Sequence, residues 1–148
     1  MTPTRHAEHA LSSESSIRYA VREALDAQAL NGLFAAAWGS PKPDYERVLA
    51  RSFTWISAHS RDDLVGFVNV AWDGGVHFFL LDTTVHPDWA RKGIGRRLVD
   101  MAIDACRGRG EWLHVDADEG LMSRFYERCG FERTPAGLLS LAPATRPR

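Results

Sequence analysis

The sequence predicts an α+β protein in which one mixed, mostly antiparallel sheet is flanked by about four helices. The period of the apolar residues changes between about 3.6 and 2 along the chain, as it does where helices alternate with strands. In the stretch "WDGGV", residues 72 to 76, an Asp-Gly pair lies between two runs rich in β-branched and aromatic residues. Such a pair indicates a hairpin, so the strands on either side of it are expected to be antiparallel neighbours.

The first part of the chain is predicted to form one strand and two helices. The strand covers residues 17 to 21. From Asp26 to Trp38, apolar residues recur at the spacing i, i+3, i+4, i+7, i+8, which predicts an amphipathic helix that ends at Gly39. Pro43 is suited to the first position of a second helix.

The remaining elements follow from the same reasoning. The runs "FTWISAHS" and "LVGFVNVAW" and a strand from about residue 76 to 85 are predicted to form an antiparallel meander. A helix after Pro87 carries an apolar stripe and ends at Gly108 and Gly110; the stripe is Ile94, Leu98, Ala102, Ala105 and Cys106. A strand "WLHVD", a last helix ended by Gly130 and a final hairpin "FERTPAGLLSL" complete the order β-α-α-β-β-β-α-β-α-β-β.

Composition limits the classes of function. The chain has 148 residues, of which 45% are apolar and 25% charged, and this fits a single domain, expected over residues 17–142. Residues 1–16 are expected to be a mobile polar tail, and residues 143–148 a loose C-terminal tail. A formal net charge of −1 argues against a nucleic-acid partner. No run reaches the ~18 apolar residues of a membrane span, and no signal peptide is apparent, so we expect a cytoplasmic protein without a membrane partner.

The two cysteines, Cys106 and Cys129, form no CxxC pair and are expected to be small buried apolar residues. This agrees with a reducing compartment. Neither cysteine has a candidate base beside it in the sequence, and no metal site is expected.

The stretch "HPDWARKGIGRRL", residues 86 to 98, predicts a site for a phosphate group. Two glycines lie where a helix begins, and backbone N–H groups in the first turn of a helix are suited to binding an anion. Four cations flank the glycines: Arg91, Lys92, Arg96 and Arg97. The P-loop pattern is absent, and the third glycine of a dinucleotide-binding fingerprint is replaced by Leu98. In the alternative interpretation, the glycines only shape a turn and the arginines are solvated.

These residues resemble the acetyl-CoA-binding signature of the GNAT superfamily of N-acetyltransferases. The family pattern [Q/R]-x-x-G-x-[G/A], after a strand that ends in V-x-P, corresponds here to "LLDTTVHPDWARKGIGRRLVDMAIDA". A second family signature corresponds to "FYERCGFE", residues 125 to 132, and the order of elements matches over residues 17 to 141. Two positions depart from the pattern: Ala90 stands where Gln or Arg is usual, and Glu119 where Asn is frequent.

The resemblance implies a GNAT-type fold and direct transfer of an acetyl group from acetyl-CoA to a primary amine of a small molecule or a protein. It implies that the pyrophosphate is held by backbone amides and cations of the loop, namely Arg91, Lys92, Gly93, Ile94, Gly95, Arg96 and Arg97. It also implies that Thr83, Thr84 and Val85 align the pantetheine arm, and that an N–H near Thr84 or Val85 polarises the thioester. Family members are often dimers, so a homodimer is implied as well.

Tyr126 matches the general acid of the family, and its alternative role is packing on an amphipathic helix. The general base is more open. Asp82 is the first candidate, although it could instead pair with the arginines or cap a turn. His77 is a second candidate, whereas His86 is expected to order the loop. His114 and Asp116 alternate onto one face of their strand, and that face either meets the opening where the cofactor enters or is plain sheet surface.

The acceptor is not identified by the sequence. Aromatic and polar residues that either line an acceptor pocket or belong to the core are Phe34, Trp38, Tyr45, Trp55, Phe67, Asn69, Trp72 and Phe78. Two other functions are compatible with the loop: a non-catalytic module that senses acyl-CoA, and a binder of nucleotide phosphates.

Overall fold

A computed structural model describes residues 16–42 and 44–144. The chain divides after Asp116 into two compact units. The first unit contains the sheet and three helices, and the second contains the last helical segment and the chain that follows it. The helix-opening role of Pro43 and most of the two predicted tails lie outside the described residues.

The first unit is built on a five-stranded sheet in the order β1-β2-β3-β4-β5. The first four strands are antiparallel neighbours, and β5 runs parallel to β4. This confirms the predicted α+β class and the antiparallel meander. The strands are β1 (Arg18–Val21), β2 (Thr54–Ser60), β3 (Asp63–Trp72), β4 (His77–Val85) and β5 (Trp112–Val115).

The three helices of this unit are α1 (Ala27–Trp38), α2 (Tyr45–Arg51) and α3 (Ile94–Cys106). Each lies where the apolar period predicts a helix. The Asp26 side chain caps α1 by accepting a hydrogen bond from the Gln28 N–H at 2.8 Å. Gly39 ends α1 with a φ of 82°, a left-handed conformation that glycine adopts without strain. Helix α3 ends at Cys106, two residues before the glycine that is predicted to end it.

Helices α1 and α3 cover opposite faces of the sheet. A Cβ placed on Gly66 in β3 would lie 3.0 Å from side-chain atoms of both Ile94 and Leu98 in α3. The next residue, Phe67, points to the other face and packs in a cluster with Leu30 and Phe34 of α1. Glycine at position 66 therefore lets the N-terminal part of α3 approach the sheet closely.

Most of the residues named above as an acceptor wall belong to the core. Six of the eight are buried: Phe34, Tyr45, Trp55, Phe67, Asn69 and Phe78. The rings of Phe34, Tyr45 and Phe67 meet edge to face, with centroids 5.0 to 5.8 Å apart. Trp72 and Phe78 stack on each other and share the face that α3 covers. The eight residues thus do not form one wall, because the alternation of β3 divides them between two faces.

Cys106 is buried at the end of α3, and burial raises the pKa of its thiol to about 11. This confirms its expected role as a small apolar residue. Cys129, in the second unit, is half-buried.

The second unit begins with a helical segment whose winding changes twice. An α-helical turn, α4 (Glu119–Leu121), continues as a π-helical turn over Met122–Tyr126 and a 3₁₀ turn over Glu127–Cys129. The Asp118 carboxylate accepts a hydrogen bond from the Leu121 N–H at 2.8 Å and so caps the segment. Gly130 ends it with a φ of 103°, as predicted.

The predicted final hairpin is wrong for the described residues, since 131–144 contain no strand. Its leucines, Leu138, Leu139 and Leu141, are 82 to 90% exposed. The alternation of "GLLSL" favours a strand, but a strand also needs a neighbour that pairs with its backbone, and local sequence does not supply one. The last two strands of the predicted element order are therefore absent from the described chain.

Two glycines of α1 make a matched test of this fold. Gly32 lies exposed in the middle of α1 and a Cβ there would meet no atom within 4 Å. We expect Gly32→Ala to raise the free energy of unfolding by about 0.5–1 kcal/mol, because alanine loses less conformational freedom on folding.

The control is Gly39→Ala, which places a Cβ on the left-handed residue that ends α1. It should lower the free energy of unfolding by about 1 kcal/mol, since the left-handed conformation is strained for alanine. Urea unfolding of the two variants measures both effects, and a destabilised Gly32→Ala variant would contradict the assigned helix.

Candidate active site

The connection between β4 and α3 is held in a defined shape. The His86 N–H donates to the Val65 carbonyl at 2.8 Å, which continues the pairing with β3 past the end of β4. The His86 ring accepts a hydrogen bond from the Asp88 N–H at 3.1 Å and so caps a 3₁₀ turn over Pro87–Trp89. His86 therefore orders the loop, as expected from the sequence.

The loop then presents the N-terminus of α3. Arg91 and Gly93 both have left-handed backbones, with φ of 62° and 81°. Gly93 caps α3, and its carbonyl accepts the N–H of Arg97 at 3.1 Å. Ile94 is buried and fixes the first turn on the sheet. The N–H groups of such a first turn have no partner within the helix, so the end of α3 is suited to binding an anion.

Three of the four predicted cations of this loop have partners within the protein. Arg96 forms an ion pair with Asp100 at 3.1 Å, one turn along α3. Lys92 lies over the Trp89 ring, with its Nζ 5.2 Å from the centroid, and Arg97 lies 6.0 Å from the ring of Tyr19 in β1. The loop therefore concentrates positive charge around the end of α3, although contacts within the protein also hold these side chains.

Strand β4 contains a β-bulge that sequence reasoning missed. Phe67 of β3 pairs with Thr84, whereas Asn69 pairs with Leu81, so Asp82 and Thr83 together face one residue of β3. Asp82 takes a left-handed φ of 55°. An aspartate in a run of apolar and β-branched residues was the available signal, because aspartate is depleted in strands and tolerates this conformation.

Two side-chain hydrogen bonds stabilise the bulge, one from Thr84 of β4 and one from Trp38 of α1. The Thr84 hydroxyl donates to the Asp82 carbonyl at 2.8 Å and accepts a hydrogen bond from the Trp38 indole at 3.1 Å. Because Trp38 is the last residue of α1, the bulge is tied to the end of that helix.

Beyond the bulge, one edge of β4 has no neighbouring strand among the described residues. Strand β5 pairs with β4 only over His77–Leu80. Backbone groups on that edge of residues 81 to 85 are therefore available to an extended ligand. Thr83, Thr84 and Val85, the residues expected to align a pantetheine arm, belong to this open segment.

The Asp82 carboxylate has a donor on each oxygen, and neither is an arginine. The Tyr45 hydroxyl donates to Oδ2 at 2.8 Å, and the Lys42 ammonium contacts Oδ1. The pKa of Tyr45 is raised, first by burial and then by the negative charge of Asp82. Asp82 thus lies on the face of the sheet that carries α1 and α2, with a quarter of its side chain exposed.

Asn69 lies beside this group, fully buried on β3. Its side chain interacts with the Tyr45 hydroxyl, and its Oδ1 atom has no hydrogen-bond partner among the described residues. A buried acceptor without a donor is costly, so the position of Asn69 in the core carries an energetic cost.

A cavity of about 430 Å³ opens between α1 and α2. Tyr45 lines it, together with Leu30 and Asn31 from α1 and Arg47 and Leu49 from α2. Tyr45 therefore contributes to two features: it is one of the residues that line the cavity, and its hydroxyl binds Asp82.

His77, the second candidate for the base, lies in a separate pair with His114. His77 Nδ1 and His114 Nε2 lie 2.8 Å apart, and the His114 ring stacks on Phe79 at 4.9 Å. His77 is five residues before Asp82 on the same strand, which separates them by roughly 15 Å. Asp116 follows β5 and is exposed. The structure therefore brings His77 and His114 together and leaves both apart from Asp82.

Tyr126, the predicted general acid, belongs to the second unit. The tyrosine is 5% exposed, and its ring meets those of Phe125 and Phe131 edge to face at 4.9 and 5.6 Å. The Tyr126 carbonyl accepts the N–H of Phe131 at 3.1 Å. These contacts agree with a packing role, and the role of general acid stays a prediction.

Glu119, which departs from the family pattern, has a partner of its own. Arg133 donates to its carboxylate at 2.8 Å and also contacts Glu127. The glutamate therefore helps to join the start of the helical segment to the chain that follows it.

Metal-ligand clusters and membrane-spanning helices are both absent from residues 16–42 and 44–144. Within these ranges, no group of three or more His, Cys, Asp or Glu side chains is arranged to hold a metal ion. None of the helices in this part of the chain is both long and apolar enough to cross a membrane.

Comparison with known sequences adds a family. The model of the acetyltransferase (GNAT) family matches residues 19–131. An uncharacterized protein of Mycobacterium leprae (strain TN) is 29% identical over 97 residues, a match that covers 63% of this chain. The same match covers 27% of that protein, so the chain spans about a quarter of the length of this relative.

Comparison with solved structures agrees. A GNAT family acetyltransferase from Streptococcus pneumoniae TIGR4 superposes with a TM-score of 0.74 at 23% identity, covering 86% of this chain and 100% of that one. AAC(6')-Iy, in complex with the bisubstrate analogue CoA-S-monomethyl-acetylneamine, superposes with a TM-score of 0.69 at 16% identity, covering 88% and 100%. At these identities the likeness shows the fold. Together with the family match, which extends from β1 past Gly130, it establishes that the chain belongs to the GNAT acetyltransferase family.

Proposed function

We propose that this acetyltransferase moves an acetyl group from acetyl-CoA directly to a primary amine of a small molecule or a protein. One observation carries the proposal: the open edge of bulged β4 leads directly into the N-terminus of α3. A ligand with a pyrophosphate at one end and an extended amide-bearing arm fits both features. Membership in the GNAT family supports the choice of acetyl-CoA.

The residues present fit the phosphate end of this cosubstrate. Backbone amides of Gly93, Ile94 and Gly95 would hold the pyrophosphate, helped by the charges of Arg91, Lys92, Arg96 and Arg97. A glycine with a left-handed φ at position 93 keeps the approach to these amides free of a side chain. The replacement of the usual Gln or Arg by Ala90 does not affect this binding, because backbone groups supply most of it.

The residues of β4 fit the acetyl end. Backbone groups of Thr83 to Val85 would pair with the pantetheine arm along the open edge. An N–H of Thr84 or Val85 would donate to the thioester oxygen, where negative charge develops during attack. When bound, acetyl-CoA supplies the activated acetyl group, and the chain positions it and handles the protons.

Proton transfer is assigned to two side chains. A primary amine is mostly protonated at neutral pH and must lose a proton before it attacks. Asp82 is the proposed base, because its carboxylate lies at the bulge, directly before the segment that would hold the thioester arm. Tyr126 is the proposed acid for the departing thiolate, supported by its place in the second family signature.

The cavity between α1 and α2 is the proposed approach for the amine, because Tyr45 both lines it and binds Asp82. The bisubstrate complex of the structural relative supports an acceptor of this general kind.

We also propose a cytoplasmic location. Cys106 carries a thiol and forms no disulfide, which is typical of a reducing compartment. The homodimer implied by the resemblance stays a prediction.

Gly93 tests the phosphate site. We expect Gly93→Glu to weaken acetyl-CoA binding at least about 100-fold, because it adds a negative side chain at the end of α3 and strains a left-handed residue. Calorimetric titration measures the binding.

The matched variant is Gly93→Asn, because asparagine tolerates the left-handed conformation and adds no charge. It should stay folded and bind acetyl-CoA more tightly than Gly93→Glu does. Equal, undiminished binding by both variants would remove the phosphate site from α3.

Tyr126→Phe tests the acid. If the hydroxyl protonates the leaving thiolate, turnover should fall about 100-fold while acetyl-CoA affinity stays within a few-fold. Release of free thiol in the presence of a panel of primary amines measures turnover. A variant with wild-type turnover would leave Tyr126 with packing alone. Binding by the wild type without thiol release from any amine would favour the acyl-CoA sensor over the enzyme.

Asp82→Asn tests the base through the pH dependence of kcat/KM. Loss of the carboxylate should displace the acid limb of the profile, since that limb reports protonation of the base. Tyr45→Phe is the control, because it removes the hydroxyl that binds Asp82 and keeps the carboxylate. An acid limb that stays in place in Asp82→Asn would transfer the role to His77 or to water.

A further inference from the structure

Lys42 occupies an unusual position for one of the only two lysines in the chain. The other, Lys92, belongs to the loop before α3. Lys42 lies in the connection between α1 and α2, and its side chain reaches across to β4, where the ammonium contacts the Asp82 carboxylate. A primary amine of the protein itself is thus held on the proposed base.

The surroundings of this amine form a small site for an ammonium group. The Asp82 carboxylate lies against Lys42 Nζ, and the Phe34 ring lies on it with its centroid 5.5 Å from the same atom. Tyr45 fixes the carboxylate from the other side through Oδ2. A carboxylate combined with an aromatic face is a common way to bind an alkylammonium ion.

This ammonium site adjoins the segment of β4 that is proposed to hold the thioester arm. Asp82 is the bulged residue, and the residues directly after it, Thr83 to Val85, form the open edge of the strand. The proposed thioester arm lies along that edge. The amine on Asp82 is therefore next to the segment at which an acetyl group would be delivered.

We propose that Lys42 is an acceptor of the protein's own acetyl transfer, so that the chain acetylates itself at this one side chain. The inference rests on the proposed function, which supplies acetyl-CoA as the acetyl donor. The Lys42 ammonium gives one proton to the Asp82 carboxylate, and the neutral Nζ attacks the thioester carbonyl carbon. A C–N bond forms and the C–S bond breaks. As the amide forms, the nitrogen loses a second proton, and the CoA thiolate takes up one proton. Asp82 then releases the proton that it accepted to solvent, so one proton is set free per acetyl group transferred.

Two physical features favour this step. The amine and the carboxylate are already in contact, so the reaction avoids the entropic cost of bringing an acceptor to the site. The Lys42 side chain is also 42% exposed, and ion pairs at the surface hold their partners weakly. The amine is therefore free to move from the carboxylate to the carbonyl once it has lost its proton.

Acetylation would change the site for other acceptors. The modified Lys42 carries no charge, so it would no longer pair with Asp82. Asp82 would keep its hydrogen bond from Tyr45 and gain an open side. The external acceptors expected at that position are primary alkylamines with a slender chain, since they would replace a lysine side chain.

The test is to incubate the purified chain with acetyl-CoA and no added amine, and to locate acetyl groups by peptide mass spectrometry. We expect one acetyl group on Lys42, at least about tenfold faster than on Lys92. The first-order rate constant for acetylation should be independent of protein concentration, because the acceptor belongs to the same chain. Lys42→Arg should bind acetyl-CoA and gain no acetyl group at position 42.

Two controls separate this reaction from uncatalysed acetylation. In the urea-unfolded chain both lysines should be modified at similar slow rates. In folded Asp82→Asn, with acetyl-CoA binding confirmed by calorimetry, acetylation of Lys42 should slow about 100-fold through loss of the base. Similar rates for Lys42 in the folded chain, the unfolded chain and Asp82→Asn would overturn the inference.

The outcomes also distinguish this inference from the function on which it rests. If the chain binds acetyl-CoA and acetylates an added amine while Lys42 stays unmodified, self-acetylation is wrong and the proposed function holds. If the wild-type chain does not bind acetyl-CoA, both are wrong. If the apparent first-order rate constant for Lys42 rises in proportion to protein concentration, the acceptor lies on another copy and the intramolecular step is wrong.

Discussion

The hydrogen bond between Tyr45 and Asp82 is the contact on which the arrangement of the site depends. It joins α2 to β4 at the bulge, where the pairing of the strand is interrupted. Tyr45 is itself fixed by edge-to-face contacts with Phe34 and Phe67, so the core of the α1 side determines where the Asp82 carboxylate lies. Burial and the negative charge of Asp82 both raise the pKa of the Tyr45 hydroxyl, so it stays protonated and donates this hydrogen bond.

The bulge in β4 and the start of α3 act together, because both leave backbone groups without hydrogen-bond partners in regular secondary structure. A regular strand would continue its pairing and alternate its side chains through residue 85, whereas the extra residue at Asp82 interrupts both patterns. Strand β5 pairs with β4 only before that point, and no other strand in the part of the chain that the structure describes pairs with this edge. The chain then passes through two left-handed residues into α3, where helix geometry leaves backbone donors unpaired. Among the described residues, backbone groups without a partner strand or helical partner thus lie at both ends of the connection between β4 and α3.

Much of this architecture could be predicted from the sequence because it depends on local patterns. The apolar stripe of α3, the Asp-Gly hairpin and the glycine that ends α1 are signals of short range, and the elements that they predict lie within a few residues of their predicted places. The loop before α3 was also predictable, since glycines among cations at a helix start have a direct physical meaning. Features that depend on distant partners were not. The partners of Asp82 come from a loop and a helix about 40 residues earlier in the chain. The hairpin expected after Gly130 depended on a neighbouring strand that the described residues do not provide.

Gly66 gives the site a fixed internal length. With no side chain there, Ile94 and Leu98 rest almost directly on the backbone of β3, and this sets how far the end of α3 stands from the sheet. The proposed cosubstrate has an arm of constant length between its phosphates and its thioester, and its two ends would be held by α3 and β4. The distance between the end of α3 and the sheet then has to match the length of that arm. A bulkier residue at position 66 would lift α3 and misplace the acetyl group with respect to the amine, even though position 66 itself touches neither ligand.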